Sequence, residues 1–489
     1  MNPAPQHDDL IAEVEVHGGW VNRDAFGLSQ FPGMGFGALA KADLPAQTSL
    51  FRIPLTHLLT PFTSHLRRHL SETEWDSLGD GWARLILVMM WETERGPESQ
   101  WYRYLAAMPK TFDTPMFWTD EELDELRGTD IQDRVGKTEA ETTYHSLLAP
   151  IIMAHPDLFP PGAGNFSLAS YHLQGSRILS RSFTIPASRA GQLQEASSVS
   201  SDDDEEENEV AVMVPIADML NAAYGMDNAR LYANDEDEGN EVMDHGADPD
   251  SYTMITSRSI SKGDQIYNTY ASPPNSELLR KYGHVDAIPL DDATLTFLEA
   301  EEVGEWPFGN PGDQVELQGD EVVRAVLSHR GSSAAADSAR EELMTERIDW
   351  WLEEGQDDAF ALSFSEELDE GLVAFTRLLL YDDEWLRAVR KGKLPRNIVD
   401  QTVAEVLHAA IVNRQSKYCN DLQHDLEIIK AGSSSQRRRN AAIVRAGEKR
   451  VLKVAARAVR LKTVADGLPG GKRKSENLHS AGEKIQRTK

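Results

Sequence analysis

Apolar residues recur along the chain with two different periods, and the changes of period divide it. Residues 15–60 read as short extended runs broken by glycine: Gly18-Gly19-Trp20, Gly33-Met34-Gly35-Phe36-Gly37 and Ser49-Leu50-Phe51-Arg52-Ile53-Pro54. None leaves room for a helix of ordinary length. From about Thr63 to Ala169 the spacing becomes helical, with Trp82, Leu85, Ile86, Met89 and Met90 on one face, followed by Trp101, Tyr102, Tyr104 and Leu105. Strand-like runs return at Val210–Ile216, Tyr252–Ser257 and Gln265–Tyr270. The pattern therefore predicts a β-rich unit over 15–290, split by a helical insert over 63–169. Beyond Asp291, Leu368, Leu372, Phe375 and Leu379 form one helical stripe, and Val403, Val406, Leu407, Ala410 and Ile411 form another. A mostly helical domain over 291–467 follows, and helix packing accounts for both stripes.

Two acidic stretches have no apolar period. GQLQEASSVSSDDDEEENEV, residues 191–210, predicts a disordered surface loop, and Asn234 to Asp250 predicts a second exposed loop. The last segment, 468–489, is polar and Gly/Lys-rich and predicts a disordered basic tail.

Composition sharpens this outline. With 489 residues, 40% hydrophobic, and ten Trp, the chain can fill more than one core. Its formal net charge is −31, unevenly spread: from Ala431 to Lys489 there are 16 basic and 4 acidic residues, leaving −43 for the first 430. Such an acidic body attracts Lys/Arg-rich partners and repels naked nucleic acid, so no direct DNA binding is expected; acidity serving only solubility fits composition equally well. The longest apolar run, Leu85 to Trp91, is far short of the ~20 residues of a membrane span. The N-terminal residues lack the basic-then-apolar pattern of a secretory leader. A soluble intracellular monomer is expected. The single cysteine, Cys419, excludes a disulfide framework and a Cys-based zinc cluster within one chain, and no metal site is expected.

Three segments carry candidate chemistry. Gly33-x-Gly35-x-x-Ala38 loosely matches a dinucleotide fingerprint, but Pro45 follows closely and no βαβ unit can be drawn around it. What remains is a glycine-rich turn, either a tight bend or a place where a ligand lies against exposed backbone. The second is Pro215-Ile216-Ala217-Asp218-Met219-Leu220-Asn221, in which Asp and Asn also serve as ordinary turn formers. The third runs from Gly263 through Asn268-Thr269-Tyr270 to Asn275–Gly283, where a strand, a turn at Pro273-Pro274 and a short helix would bring Tyr270 and Tyr282 near one another. Either phenol is also at home in a core.

The order of these motifs resembles a known family. Gly33-Met34-Gly35 with the stretch from Ala40 to Pro54, Ser180-Arg181-Ser182-Phe183, Pro215 to Asn221, Asn268-Thr269-Tyr270 with Asn275 to Gly283, and Arg445 to Arg450 together resemble the SET-domain protein lysine methyltransferases of the Rubisco large-subunit methyltransferase class. The chain looks most like the fungal ribosomal lysine N-methyltransferase 4 branch. The resemblance implies an α+β fold: a β-rich knotted SET domain split by a helical insert, followed by an α-helical substrate-binding domain. It implies S-adenosyl-L-methionine as cofactor, with Gly33, Met34 and Gly35 against its backbone-facing side and Arg181 at its amino-acid end. Asp218, Asn221 and Ala222 fall on the family's cofactor-contacting element, where Ala222 stands in place of a common His. Tyr270 matches the catalytic tyrosine and Tyr282 the second tyrosine of the lysine channel, both also beside the cofactor.

The implied activity is methyl transfer to a lysine of a basic protein, foremost a large-subunit ribosomal protein. Histones, other nuclear proteins or a histidine acceptor remain open, as does a non-catalytic module that grips a basic partner. Lys472-Arg473-Lys474 and Arg437-Arg438-Arg439 suit either nuclear import or contact with ribosomal RNA, so the nucleus and the cytoplasm are both expected locations.

Overall fold

The computed structural model describes residues 5–32, 34–191, 209–233, 250–269, 272–286, 309–330, 334–365, 367–431 and 435–467. The loop expected at 191–210, apart from its ends, the loop at 234–250, apart from Asp250, and the tail at 468–489 lie outside these, as do Gly33 and Tyr270.

The chain forms two compact units. Residues 1–290 and 423–445 make the first, and residues 291–422 and 446–489 the second. The return of 423–445 to the first unit has no counterpart in the apolar periodicity, because a helical stripe records that a face is covered and not by what.

In the first unit the strands are β1 (Trp20–Val21), β2 (Phe26–Phe31), β3 (Gly35–Ala40), β4 (Ser49–Pro54), β5 (Phe183–Pro186), β6 (Glu209–Val212), β7 (Ala229–Ala233), β8 (Ser251–Thr256) and β9 (Gln265–Ile266). They build three small antiparallel sheets, ordered β1-β4-β8-β7, β2-β3-β9 and β5-β6. β8, sequence SYTMIT, is buried at all six positions, so both faces of this central strand are covered. Val210 to Ile216 is strand only as far as Val212, and the run from Gln265 contributes just two strand residues before it leaves the sheet.

The helical insert between β4 and β5 centres on the helix Trp82–Arg95. Leu85, Ile86, Met89 and Met90 are buried as expected, but so are Leu87, Val88 and Trp91, while Trp82 is 41% exposed. Surrounded on most sides, this helix shows no single apolar stripe. The helix Leu168–Arg181 packs beside it and leads directly into β5.

The second unit carries the two expected stripes. Leu372 to Leu380 are all buried in the helix Glu370–Leu380, and the Val403–Ile411 stripe is buried in Gln401–Gln415. An antiparallel pair, β10 (Gln314–Gln318) and β11 (Ala359–Ser363), was not expected; its strands lie about 40 residues apart in sequence and alternate in burial over only five residues each. The Arg445–Arg450 motif lies in the helix Gln436–Gly467. Arg445 pairs with Asp425, both side chains wholly buried, in the first unit. In the second, Glu448 accepts from the Tyr418 hydroxyl at 2.8 Å, and a Cβ on Gly447 would stand 2.2 Å from Asp313 Oδ2. These contacts explain the motif as packing.

Burial also creates a pH liability. The rings of His17 and His57 stack at 4.8 Å, Trp101 lies beyond at 6.4 Å, and neither ring nitrogen of His57 has a hydrogen-bond partner among the described residues. Burial, with the neighbouring His17, pushes the His57 pKa down to about 3. A neutral, depressed histidine stabilises the fold above its unfolded pKa near ~6.5, and that contribution is lost as pH falls from there towards about 3. The expected slope is about 1.4 kcal/mol per pH unit. Denaturant unfolding at pH 7 and pH 4.5 should therefore show a smaller acid destabilisation in His57→Phe than in the wild type.

Candidate active site

Three segments of the first unit converge at the start of β3. Met34, Gly35 and Phe36 are exposed, with Gly35 at φ +72°, so this strip presents backbone rather than side-chain cover. Asn221 Nδ2 donates to the Phe36 carbonyl at 3.2 Å, and the Asn268 amide donates to the Asn221 carbonyl at 3.0 Å. Gly37 sits inside this clasp. A Cβ there would lie 2.4 Å from Gln265 Nε2 and 2.6 Å from Asn221 Nδ2, so only glycine fits while both amides stay in place. Just before Asn268 the chain is anchored by Asn228, which donates to the Gln265 carbonyl at 3.1 Å and accepts from the Tyr267 amide at 2.7 Å.

Asp218 and Arg181 form the second part. Arg181 ends the helix Leu168–Arg181, and its Nη1 donates to the Asp218 carbonyl at 2.9 Å, with the Asp218 carboxylate oxygen Oδ2 at 3.5 Å. The Asp218 side chain has no solvent exposure while that of Arg181 is 23% exposed. Burial raises the Asp218 pKa to about 6, against the opposing pull of Arg181. The turn that delivers Asp218 is strained: Ile216, a β-branched residue, has φ +70° and is fully buried, a conformation that costs on the order of 1–3 kcal/mol.

Tyr104, seen in the sequence only as part of a helical aromatic run, lies against Asp218, and burial raises its phenol well above the usual range. The Tyr104 phenol lowers the Asp218 pKa and the carboxyl in turn raises that of the phenol, as a hydroxyl directed at a carboxylate does. Arg177, one turn before Arg181, is held by the Pro109 carbonyl at 2.9 and 3.0 Å and by Gln174 at 3.1 Å. Its pKa falls to about 10 through burial. Tyr104, Arg177 and Gln265 carry no local sequence signal that separates them from core residues.

Of the residues singled out in the sequence, the structure brings Asn221 to the Met34–Gly37 strip and Arg181 to Asp218. Ala222 follows Asn221 and is half-buried. Tyr282 ends the helix Asn275–Tyr282, is capped by Gly283 at φ +78°, and has its ring 5.9 Å from that of His284. That helix packs on Leu168–Arg181. Among the described residues no cluster of His, Cys, Asp and Glu suits a metal ion, and no helix is long and apolar enough to cross a membrane.

Residues 338–452 match the Rubisco LSMT substrate-binding family model. The chain is 31% identical over 264 residues to N-lysine methyltransferase setd6 of Danio rerio, covering 52% of this chain and 51% of the relative. It is 27% identical over 451 residues to the Mus musculus protein of that name, covering 86% and 83%. With ribosomal lysine N-methyltransferase 4 of Saccharomyces cerevisiae the identity is 29% over 258 residues, covering 52% and 49%. The aligned region thus spans about half the length of the zebrafish and yeast relatives. Among solved structures, the SET domain of LSMT bound to lysine and AdoHcy superposes with a TM-score of 0.64 at 19% identity, covering 96% of this chain and 93% of that one. Rubisco LSMT bound to AdoMet gives a TM-score of 0.60 at the same identity, covering 95% and 93%. The α+β architecture expected from the motifs is the one these structures share.

The Gly37 clasp is directly testable. Gly37→Ala should lower unfolding free energy by about 1–3 kcal/mol through overpacking. Because the nearest obstruction is Gln265 Nε2, adding Gln265→Ala should recover part of that loss in denaturant titrations.

Proposed function

We propose that the chain is a SET-domain protein lysine methyltransferase that methylates a lysine of a basic protein, first among them a protein of the large ribosomal subunit; similarity to named lysine methyltransferases and to solved structures of LSMT supports this. The observation that carries this reading is the pairing of Arg181 with buried Asp218 in the same unit as the clasp of Asn221 on an exposed glycine strip.

These residues suit S-adenosylmethionine. Only Nη1 of Arg181 is engaged among the described residues, so its other N–H groups are donors for a carboxylate, in the fork geometry guanidinium offers. Met34 and Gly35 offer backbone, and Asn221 and Ala222 form the adjoining wall, where a methyl in place of an imidazole leaves the backbone to make the contact. When bound, S-adenosylmethionine supplies a methyl group activated on a positively charged sulfonium.

The chain's own task is to present a neutral amine in line with that methyl group. Free lysine has a pKa near ~10.4. The family resemblance assigns Tyr270 and Tyr282 to the lysine channel, and two neutral phenols there would desolvate the ammonium and lower that value without a strong base. Neutral phenols suit this role, since a carboxylate there would hold the proton on the amine. The acidic body favours approach of a cationic protein. The name of the yeast relative supports the ribosomal assignment over the other candidates.

Purified ribosomal proteins and histones from cells lacking the enzyme, incubated with it and S-adenosylmethionine, provide the test. Mass spectrometry should find a methylated lysine on one large-subunit protein, with transfer lost or cut at least ~100-fold in Tyr270→Phe. Labelling confined to histones would refute the ribosomal assignment and leave the chemistry standing. We further propose nuclear entry through Lys472-Arg473-Lys474; a fluorescent fusion of residues 431–489 should concentrate in the nucleus and lose that distribution when all three are alanine.

A further inference from the structure

The second unit carries a cationic segment in a chain of net charge −31: residues 386–398, LRAVRKGKLPRNI, hold five basic side chains and no acid. The segment begins in the helix Asp382–Lys391, which buries Trp385 and Ala388 on its inner face, and continues past the left-handed cap Gly392. Its outer side is more than charged. Leu386 and Val389, one turn apart, are 50% and 49% exposed, and Leu394 and Ile398 are exposed beyond the helix. Four of the fifteen large apolar side chains exposed among the described residues thus fall within these 13 positions. Single exposed apolar residues are ordinary, whereas a cluster of them rimmed by charge marks a surface that meets a partner.

The neighbouring acids are already committed. Asp383 lies 3.6 Å from Arg387, Asp382 pairs with Arg347, and Asp400 takes Arg377 and the Tyr381 hydroxyl, each at 2.7 Å. Arg390, Lys391, Lys393 and Arg396 are exposed and have no acidic partner among the described residues. The backbone beneath them is nevertheless fixed. Arg377 Nη1 donates to the Ile398 carbonyl and Asn397 donates to Glu370, both at 2.8 Å. Lys462, from the helix Gln436–Gly467, donates to Asn397 Oδ1 and brings a sixth cation to the edge of the segment.

We propose that residues 386–398 form a docking surface for an acidic amphipathic segment of a partner protein. Carboxylates of the partner meet Arg390, Lys391, Lys393 and Arg396, while its apolar side chains cover Leu386 and Val389. This chemistry is the opposite of a basic methyl acceptor, which the surface repels. Protein is chosen over nucleic acid because a phosphate backbone gains nothing from exposed aliphatic side chains. A segment already held by hydrogen bonds loses little freedom on binding. The acidic body around it turns away anions that do not match the cationic segment.

The probe is a fluorescein-labelled peptide, (Glu-Glu-Leu-Leu)4, titrated with the full chain and followed by anisotropy, with (Glu-Glu-Ser-Ser)4 and an oligouridylate of equal length as controls. The leucine peptide should bind saturably with a dissociation constant on the order of 10 μM at about 50 mM salt, and several-fold more weakly at about 300 mM. Arg390→Glu with Lys393→Glu, and separately Leu386→Ser with Val389→Ser, should each weaken it about tenfold. Circular dichroism checks that both double variants are folded; if one is not, the other decides. Absence of saturable binding, or affinity unchanged in a folded double variant, would overturn the proposal. So would the serine peptide binding as tightly as the leucine peptide. Oligouridylate binding as tightly and weakened by the same charge reversals would also overturn it, making the segment a nucleic-acid surface. None of these readouts depends on methyl transfer.

Discussion

A carboxyl with no solvent exposure, Asp218, is paired with the partly exposed guanidinium of Arg181, and the organisation of the site follows from that pairing. Isolating a carboxylate from water costs several kcal/mol unless a partner compensates it. Here compensation by Arg181 and the Tyr104 phenol is partial: the pKa still rises to about 6. The fold accepts this, and the strained turn at Ile216, in the segment that connects β6 to the Asn221 clasp. A raised carboxyl and a strained backbone thus stand within two residues of each other.

The pairing fixes more than a charge. Nη1 bonds the backbone carbonyl of Asp218 as well as approaching its carboxylate, which ties the end of the helix Leu168–Arg181 to the turn before Asn221. Asn221 ties that turn to the glycine strip and, through its carbonyl, to Asn268. Four segments from separated parts of the chain are thereby tied together by four hydrogen bonds. Gly37 is the point at which the register tolerates no additional atom.

Much of this was legible in the sequence, and the rest was not for identifiable reasons. The stripes at Leu372–Leu379 and Val403–Ile411 are local periodicities, so they were visible. The helix Trp82–Arg95 was visible as a helix, but a segment buried nearly all round has no stripe to reveal its environment, and Trp82 lies outside the core. Arg181, Asp218 and Asn221 were found by resemblance to family motifs; no spacing rule joins residues 37 or 185 positions apart. Tyr104 and Gln265 stayed hidden because a phenol in an apolar run and an amide in a short strand look like ordinary packing. β10 and β11 pair across two helices, a separation that hydrophobic alternation over five residues cannot report.

We propose that Arg181, set by Asp218, and the Asn221 clasp together form the cofactor site. Isothermal titration of S-adenosylmethionine into the wild type, Arg181→Ala and Asn221→Ala measures this most directly. The account predicts saturable wild-type binding and at least a roughly tenfold loss of affinity in each folded variant. Undiminished affinity in both variants would contradict it.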